Sequence, residues 1–251
     1  MTMTLETPTS PIAAGDDLGI LNRHRHVWAQ KPSLRRVYEE YFALVRSRCS
    51  PLRPVVELGC GPGFLKAWWP EVIATDVVAT PWAERVVDAT ALPFEDASVG
   101  NIVMVDVFHH LAAPQDFLRE ASRVLMSGGR VVMLEPWTSP LGYLFYKHVH
   151  HEDADRSVDP AAPFEDGKDP MDGNAALPEL YFGTADRPCP QTRLRLVEVQ
   201  KLPAISWLLS GGFQPVSLLP NALWPIAKAL DSVAKPLARL VSLRALIVLE
   251  R

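Results

Sequence analysis

Apolar residues Leu34, Val37, Tyr38, Tyr41, Phe42, Leu44 and Val45 recur at three- and four-residue spacing, which predicts an amphipathic helix with Ser33 placed to cap it. The first twenty residues show no such period and are rich in Thr, Pro, Gly and Asp, so residues 1–20 are expected to form a loose arm. From Val55 the pattern becomes short apolar runs, Val55 to Leu58, Val72 to Ala74, Ile102 to Val105 and Arg130 to Leu134, separated by helical stretches. Runs apolar on both faces are how parallel strands read. Between the last two, Phe117, Leu118, Ala121, Val124 and Leu125 share one helical face, and Gly128 is placed to stop that helix.

This alternation predicts an α/β fold with a doubly wound, mostly parallel sheet. Phe213 to Leu219 and Leu243 to Leu249 read as two further strands. Residues 21–251 are expected to form one domain, with an irregular insertion at about 137–190 where Pro140, Pro160, Pro163, Pro170, Pro178, Pro188 and Pro190 break long elements. Near the end an apolar stripe runs through Leu223, Ile226, Ala227, Leu230, Val233, Ala234, Leu237, Leu240 and Val241. Pro225 is placed to start its helix and Pro236 to divide it. Such a stripe packs on its own domain or, in the alternative, rests with Trp224 on a membrane surface or a lipid-like substrate, giving a peripheral membrane contact through residues 222–241.

A net charge of -4 and a pI near 6.0 give no global attraction to nucleic acid, and no such partner is expected. The charge is segregated, with ten Asp or Glu between His150 and Asp186 and eight Arg or Lys between Arg23 and Arg53, the latter read as a solvated face. Three cysteines, Cys49, Cys60 and Cys189, lack the density of a disulfide scaffold and any metal-type spacing, which suits a reducing compartment. With neither a leader pattern nor a long apolar run, a cytoplasmic protein is expected.

The chemistry concentrates in VVELGCGPG, Val55 to Gly63, where an apolar strand ends at Glu57 and Leu58 and Gly59, Gly61 and Gly63 turn the chain toward Phe64. Glycines let the backbone approach a ligand, and the following helix start offers N–H groups to an anion. Asp76 closes the second apolar run, VIATD, where a carboxylate can accept both hydroxyls of a ribose. A third segment, DATALPFEDASVGNIVMVDVFHHL, spans Asp88 to Leu111, and LREASRVLMSGGRVVMLEP follows through Pro136.

In this order the segments resemble class I S-adenosylmethionine (SAM) dependent methyltransferases, in particular the type 11 domains of the ubiquinone/menaquinone kind. The resemblance covers roughly residues 55–136, about a third of the chain. It implies a Rossmann-like sheet closed by an antiparallel strand pair. It also implies SAM as cofactor, S-adenosylhomocysteine as product, and a small-molecule or lipid-linked acceptor. Glu57, Gly59, Gly61, Gly63 and Asp76 would hold the cofactor, Asp88 and the backbone at Ala89 would read the adenine edge, and Asp106 would lie beside the methionine part. Gly100 departs from the family, which usually carries Asp before the fourth strand.

For a general base the candidates are His109 and His110, at the carboxyl end of the fourth strand, and His148 and His151 of HVHHEDAD, with His150 between them. The alternative for the first pair is that it caps the strand and shapes the pocket wall. On a helix His148 and His151 sit three apart with Glu152 and Asp155 within reach, a set able to bind a divalent metal or supply a base; the spacing matches no strong metal motif, and no metal is expected. A SAM-binding protein without catalysis stays open. A nicotinamide-dependent oxidoreductase is disfavoured by the glycine spacing and by Asp88 to Phe94.

Overall fold

The computed structural model describes residues 17–150, 152–160, 171–184 and 192–251. The chain begins with two helices, α1 (Asp17–Gln30) and α2 (Pro32–Arg48). An alternating region follows: β1 (Val55–Leu58), α3 (Phe64–Trp68), β2 (Ile73–Asp76), β3 (Arg85–Val86), β4 (Val99–Val105), α4 (Pro114–Val124) and β5 (Leu125–Pro136). Helices α5 (Pro140–His148) and α6 (Leu177–Phe182) lie in the insertion. Then come β6 (Arg195–Leu202), α7 (Ile205–Ser210), α8 (Trp224–Ala234), α9 (Ala238–Val241) and β7 (Arg244–Glu250).

Among the described residues the seven strands form one sheet in the order β3-β2-β1-β4-β5-β7-β6. All pairs from β3 to β5 are parallel, and β7 runs antiparallel to both β5 and β6. Successive strand residues face opposite sides. Val56, Ile102, Met104, Val131 and Met133 pack under α4 and α6, whereas Val55, Val103, Val132 and Leu134 pack under α2 and α7. Both faces are therefore buried, and the strands read as continuous apolar runs for that reason.

Several expectations are corrected. The supposed arm is helical from Asp17, and Leu21 and Val27 bury its inner face; residues 1–16 lie outside the described residues. Helix α2 starts at Pro32, whose missing N–H costs nothing at the first helical position, and Lys31 rather than Ser33 is its N-cap residue. The fourth helix ends at Val124, not Gly128. Leu125 is already extended and paired with Val99, while Gly128, at φ +77°, donates its N–H to the Arg251 carbonyl at 2.7 Å.

The strand beside β7 is Arg195–Leu202, not Phe213 to Leu219. Pro215 and Pro220 cannot donate to a ladder. The carbonyls of Gly212 and Gln214 instead accept from the Lys31 ammonium at 2.8 Å each. The insertion is less irregular than its prolines suggest, because Pro140 and Pro178 sit at helix starts. Finally, the apolar stripe of residues 223–241 does not face the core. Ala227 and Asp231 are the buried positions of α8, with Asp231 accepting the Ser206 amide at 3.1 Å, while Ile226 and Val233 are 52% and 75% exposed. Pro236 does divide the segment, through a 3-10 turn at Lys235–Leu237.

Candidate active site

The chain leaves β1 toward β2 on one side and, further on, passes from β4 to β5 on the other. The carboxyl ends of β1 and β4 thus border the switch-point crevice, where ligands of open α/β sheets bind. Glu57, Asp76, Asp106 and Glu135 stand at or just beyond the ends of β1, β2, β4 and β5, and Asp88 follows β3.

The glycine turn is stereochemically committed. Gly59, Gly61 and Gly63 have φ of +69°, +48° and +74°, and a Cβ on Gly59 would lie 2.5 Å from Val107 Cγ2. Asp76 braces this turn: one carboxylate oxygen accepts the Gly61 amide at 2.8 Å and the other the Val78 amide at 3.0 Å. The Cys60 and Gly63 amides are also bonded within the protein, and the helix that follows, α3, has 5 residues. Helix α1 lies across the turn. Arg25 donates to the Pro62 carbonyl at 2.7 Å and stacks over Trp82. Glu57 is buried, its Oε2 has no hydrogen-bond partner, and burial, with Asp76 adding to it, pushes its carboxyl up to about 8.

Asp88 accepts from the Thr90 amide and hydroxyl at 2.8 and 2.7 Å beside buried Ala89. The loop below it is gripped by Arg123, which donates to the carbonyls of Leu92 and Phe94 at 2.8 Å each. Asp106 has φ +59°, accepts the Tyr38 hydroxyl at 3.2 Å and pairs with Arg244 of β7. Arg244 is 2% exposed and lies 5.4 Å from the ring centroids of both Tyr41 and Trp207. Burial opposes its charge, but Asp106 together with the surrounding Tyr38, Tyr41 and Tyr146 overcomes it and holds the guanidinium protonated.

His109 and His110 sit in a 3-10 turn, Phe108–His110, just past β4. His109 is 1% exposed, with Nδ1 2.7 Å from Glu135 Oε2 and Nε2 3.4 Å from Glu152 Oε2. Glu135 also accepts the amides of Val107 and Phe108 at 3.0 and 2.8 Å. Burial disfavours the imidazolium of His109, but Glu152 and Glu135 overcome it and raise its pKa to about 10. His110, penalised by burial and by His109, falls to about 3. Its Nε2 and the Nδ1 of His150 each lie 3.7 Å from Glu152. His148 is exposed at the end of α5, and His151 lies outside the described residues, as does Cys189.

Glu135 and Arg244 were not singled out by the sequence, and Glu152 was singled out only as a neighbour of His148 and His151, not of His109 and His110. A carboxylate ending the apolar run VVMLE, and an arginine opening RALIVLE, were the available signals. The Gly100 departure has a packing reason: a Cβ there would lie 2.4 Å from the Leu52 carbonyl carbon and 2.5 Å from the Arg53 nitrogen.

Residues 56–133 match the family model described as a methyltransferase domain. No curated protein matches the chain in sequence. Among solved structures, geranyl diphosphate C-methyltransferase from Streptomyces coelicolor A3(2), with Mg2+ and S-adenosylhomocysteine, superposes with a TM-score of 0.51 at 17% identity, covering 86% of this chain and 76% of that one. A geranyl diphosphate methyltransferase with sinefungin gives 0.54 at 16% identity, covering 86% and 80%. The matched segment contains the glycine turn, Asp76, Asp88 and Asp106, and the chain shares the fold of the superposed enzymes: residues 56–133 are a methyltransferase domain on a Rossmann-like sheet of the class I kind.

Proposed function

We propose that the chain transfers the methyl group of SAM to a small acceptor bearing an apolar tail, a lipid-linked intermediate included. The observation that carries this reading is an apolar cavity of about 440 Å³ whose walls include Leu144, Phe145 and Val149 of the insertion side and Ile205, Leu237 and Leu243 of the carboxyl-terminal side. Its size and lining are those of a small-molecule site. Phe145 lies 6.1 Å from Trp207, and Trp207 stacks on the Arg244 that pairs with Asp106, so a chain of side-chain contacts links the cavity wall to the residue we assign to the methionine part of SAM.

We assign cofactor binding to Glu57, Gly59, Gly61, Gly63, Asp76, Asp88, Ala89 and Asp106, with Asp76 turning from the Gly61 amide to the ribose hydroxyls. Methyl transfer from a sulfonium is an in-line displacement, and holding nucleophile and methyl group in line supplies about 7 to 11 kcal/mol. His109, engaged on both ring nitrogens, suits positioning better than proton transfer. The exposed leucines and valines around the cavity mouth, with Leu141 at 51% and Leu237 at 55%, support delivery of the acceptor from a lipid surface. No helix among the described residues is long and apolar enough to cross a membrane.

We further assign the insertion the role of a cover. Its Leu177, Tyr181 and Phe182 pack into the main core, with Tyr181 edge-on to Phe108 at 5.3 Å. The test is a turnover screen with tritiated SAM against paired acceptors that share a head group and differ in tail length, geranyl diphosphate among them. Loss of rate on shortening the tail, and on Leu144→Asp or Leu237→Asp, is expected. Equal rates for tailed and tailless acceptors would reject the apolar-tail reading. Limited proteolysis of the insertion should slow when SAM and acceptor are both present.

A further inference from the structure

The cluster of His109, His110 and Glu152 brings together one buried imidazole, one mostly buried imidazole and one carboxylate from different parts of the chain. One ligand atom from each lies within 4.8 Å of the others. Two donors bound to one tetrahedral ion at about 2.0 to 2.1 Å stand about 3.3 to 3.4 Å apart. The observed separation of His109 Nε2 from Glu152 Oε2 is 3.4 Å, and that of His110 Nε2 from Glu152 Oε1 is 3.7 Å. His109 Nε2 is buried and faces Glu152 at 3.4 Å without a well-formed hydrogen bond.

A second, independent feature is the group behind His109. Its Nδ1 is 2.7 Å from Glu135 Oε2, a carboxylate fixed in turn by the backbone amides of Val107 and Phe108. A carboxylate on the far nitrogen is the usual partner of a metal-bound histidine, because it sets the tautomer that leaves Nε2 as a lone-pair donor and raises its basicity. Packing also fixes both rings from the other side: a Cβ on Gly173 would lie 2.8 Å from His109 Cδ2 and 3.0 Å from His110 Cε1. In charge terms, two carboxylates facing two imidazoles are balanced by one divalent cation.

We propose that His109, His110 and Glu152 form a binding site for one divalent transition-metal ion of the zinc class, with Glu135 orienting His109. Two histidines and one glutamate are a ligand set of catalytic rather than structural zinc, and three protein ligands leave a position for an exogenous oxygen. The site joins the turn after β4 to the insertion, so an ion there both fastens the cover and presents a Lewis acid to an anionic oxygen of the acceptor. That second role rests on the methyltransfer reading above, whereas the binding itself does not.

The test uses the full-length chain stripped with a chelator that is then removed. Co2+ titration followed by visible d–d absorption, and Zn2+ calorimetry, should show one ion per chain and a rise in melting temperature. Glu152→Gln and His110→Gln should each abolish the absorption band or weaken binding at least about 100-fold, and Glu135→Gln about 10- to 100-fold. His148→Gln should leave binding unchanged. Circular dichroism confirms that each variant is folded, and His110→Gln, at the rim, serves if Glu152→Gln is not. Absence of saturable 1:1 binding, or equal affinity in folded Glu152→Gln and His110→Gln, overturns the site. SAM calorimetry on the same stripped chain separates the two readings: cofactor binding without metal binding removes only the metal site, and metal binding without cofactor binding removes only the methyltransfer reading.

Discussion

Replacing Arg244 by Met tests whether the pair it forms with Asp106 holds the two halves of the sheet edge together. Arg244 is 2% exposed, and the side chain of Asp106 retains 29% exposure and the Tyr38 hydroxyl at 3.2 Å. Removing one partner of a fully buried pair costs about 3 to 5 kcal/mol, because the other charge is left without compensation. Partial exposure of Asp106 and its remaining bond put Arg244→Met at the lower end, about 3 kcal/mol. In a chain of this length that lowers the melting temperature by about 6 to 12 °C.

Urea titration followed by tryptophan fluorescence reads the change, since Trp207 stacks on the guanidinium. The double variant Asp106→Asn/Arg244→Met removes both charges and should recover about 1 to 2 kcal/mol of the loss. The sign with pH is also fixed. Burial raises the Asp106 carboxyl and Arg244 opposes that rise, so without Arg244 the proton is held more tightly in the folded state. The penalty is present where the unfolded chain ionises this group and fades on acidification, so the deficit should be larger at pH 8 than at pH 5. An Arg244→Met chain within 1 kcal/mol of the parent, or a double variant no more stable than Arg244→Met, would refute the reasoning.

Glu57 makes a prediction of the same kind. Its folded pKa of about 8 lies above the unfolded value, so the folded state favours the proton, and stability falls as pH rises from about 4.5 toward 8, by up to about 5 kcal/mol. Glu57→Gln should therefore gain on the parent in cofactor-free melts between pH 5 and pH 8.5, and a constant difference would show that the carboxyl ionises freely. Gly100→Asp, which restores the residue usual in the family, should destabilise by roughly 3 kcal/mol or more, because its Cβ meets backbone at Leu52 and Arg53. Thermal melts matching the parent would mean that the 50–54 loop yields.

The parallel half of the sheet was legible because strands buried on both faces leave uninterrupted apolar runs, as in Val55 to Leu58 and Ile102 to Val105. The glycine turn and Asp76 were legible for a different reason: three residues with positive φ and an acidic strand end are local requirements. The antiparallel edge was only half legible. β7 is buried and apolar, but β6 is a half-exposed strand carrying Arg195, Glu198 and Lys201, so its pattern is weaker than that of Phe213 to Leu219.

The stripe of residues 223–241 has a helical period, yet α8 turns Ala227 and Asp231 inward, anchored by Ser206 and by the pair between Lys228 and Glu40 at 2.6 Å. Period alone gives a face and not its partner. Asp106 with Arg244, and His109 with Glu135 and Glu152, were hidden because each is a contact between segments far apart in sequence.

The central claim is that the crevice beside the glycine turn binds SAM, and calorimetry of the purified chain with SAM, S-adenosylhomocysteine and NAD tests it most directly. One SAM per chain, S-adenosylhomocysteine competing for the same site, no heat with NAD, and a loss of about 1.5 to 3 kcal/mol in Asp76→Ala are predicted. No binding of SAM, binding of NAD in its place, or SAM affinity unchanged in Asp76→Ala would contradict the account.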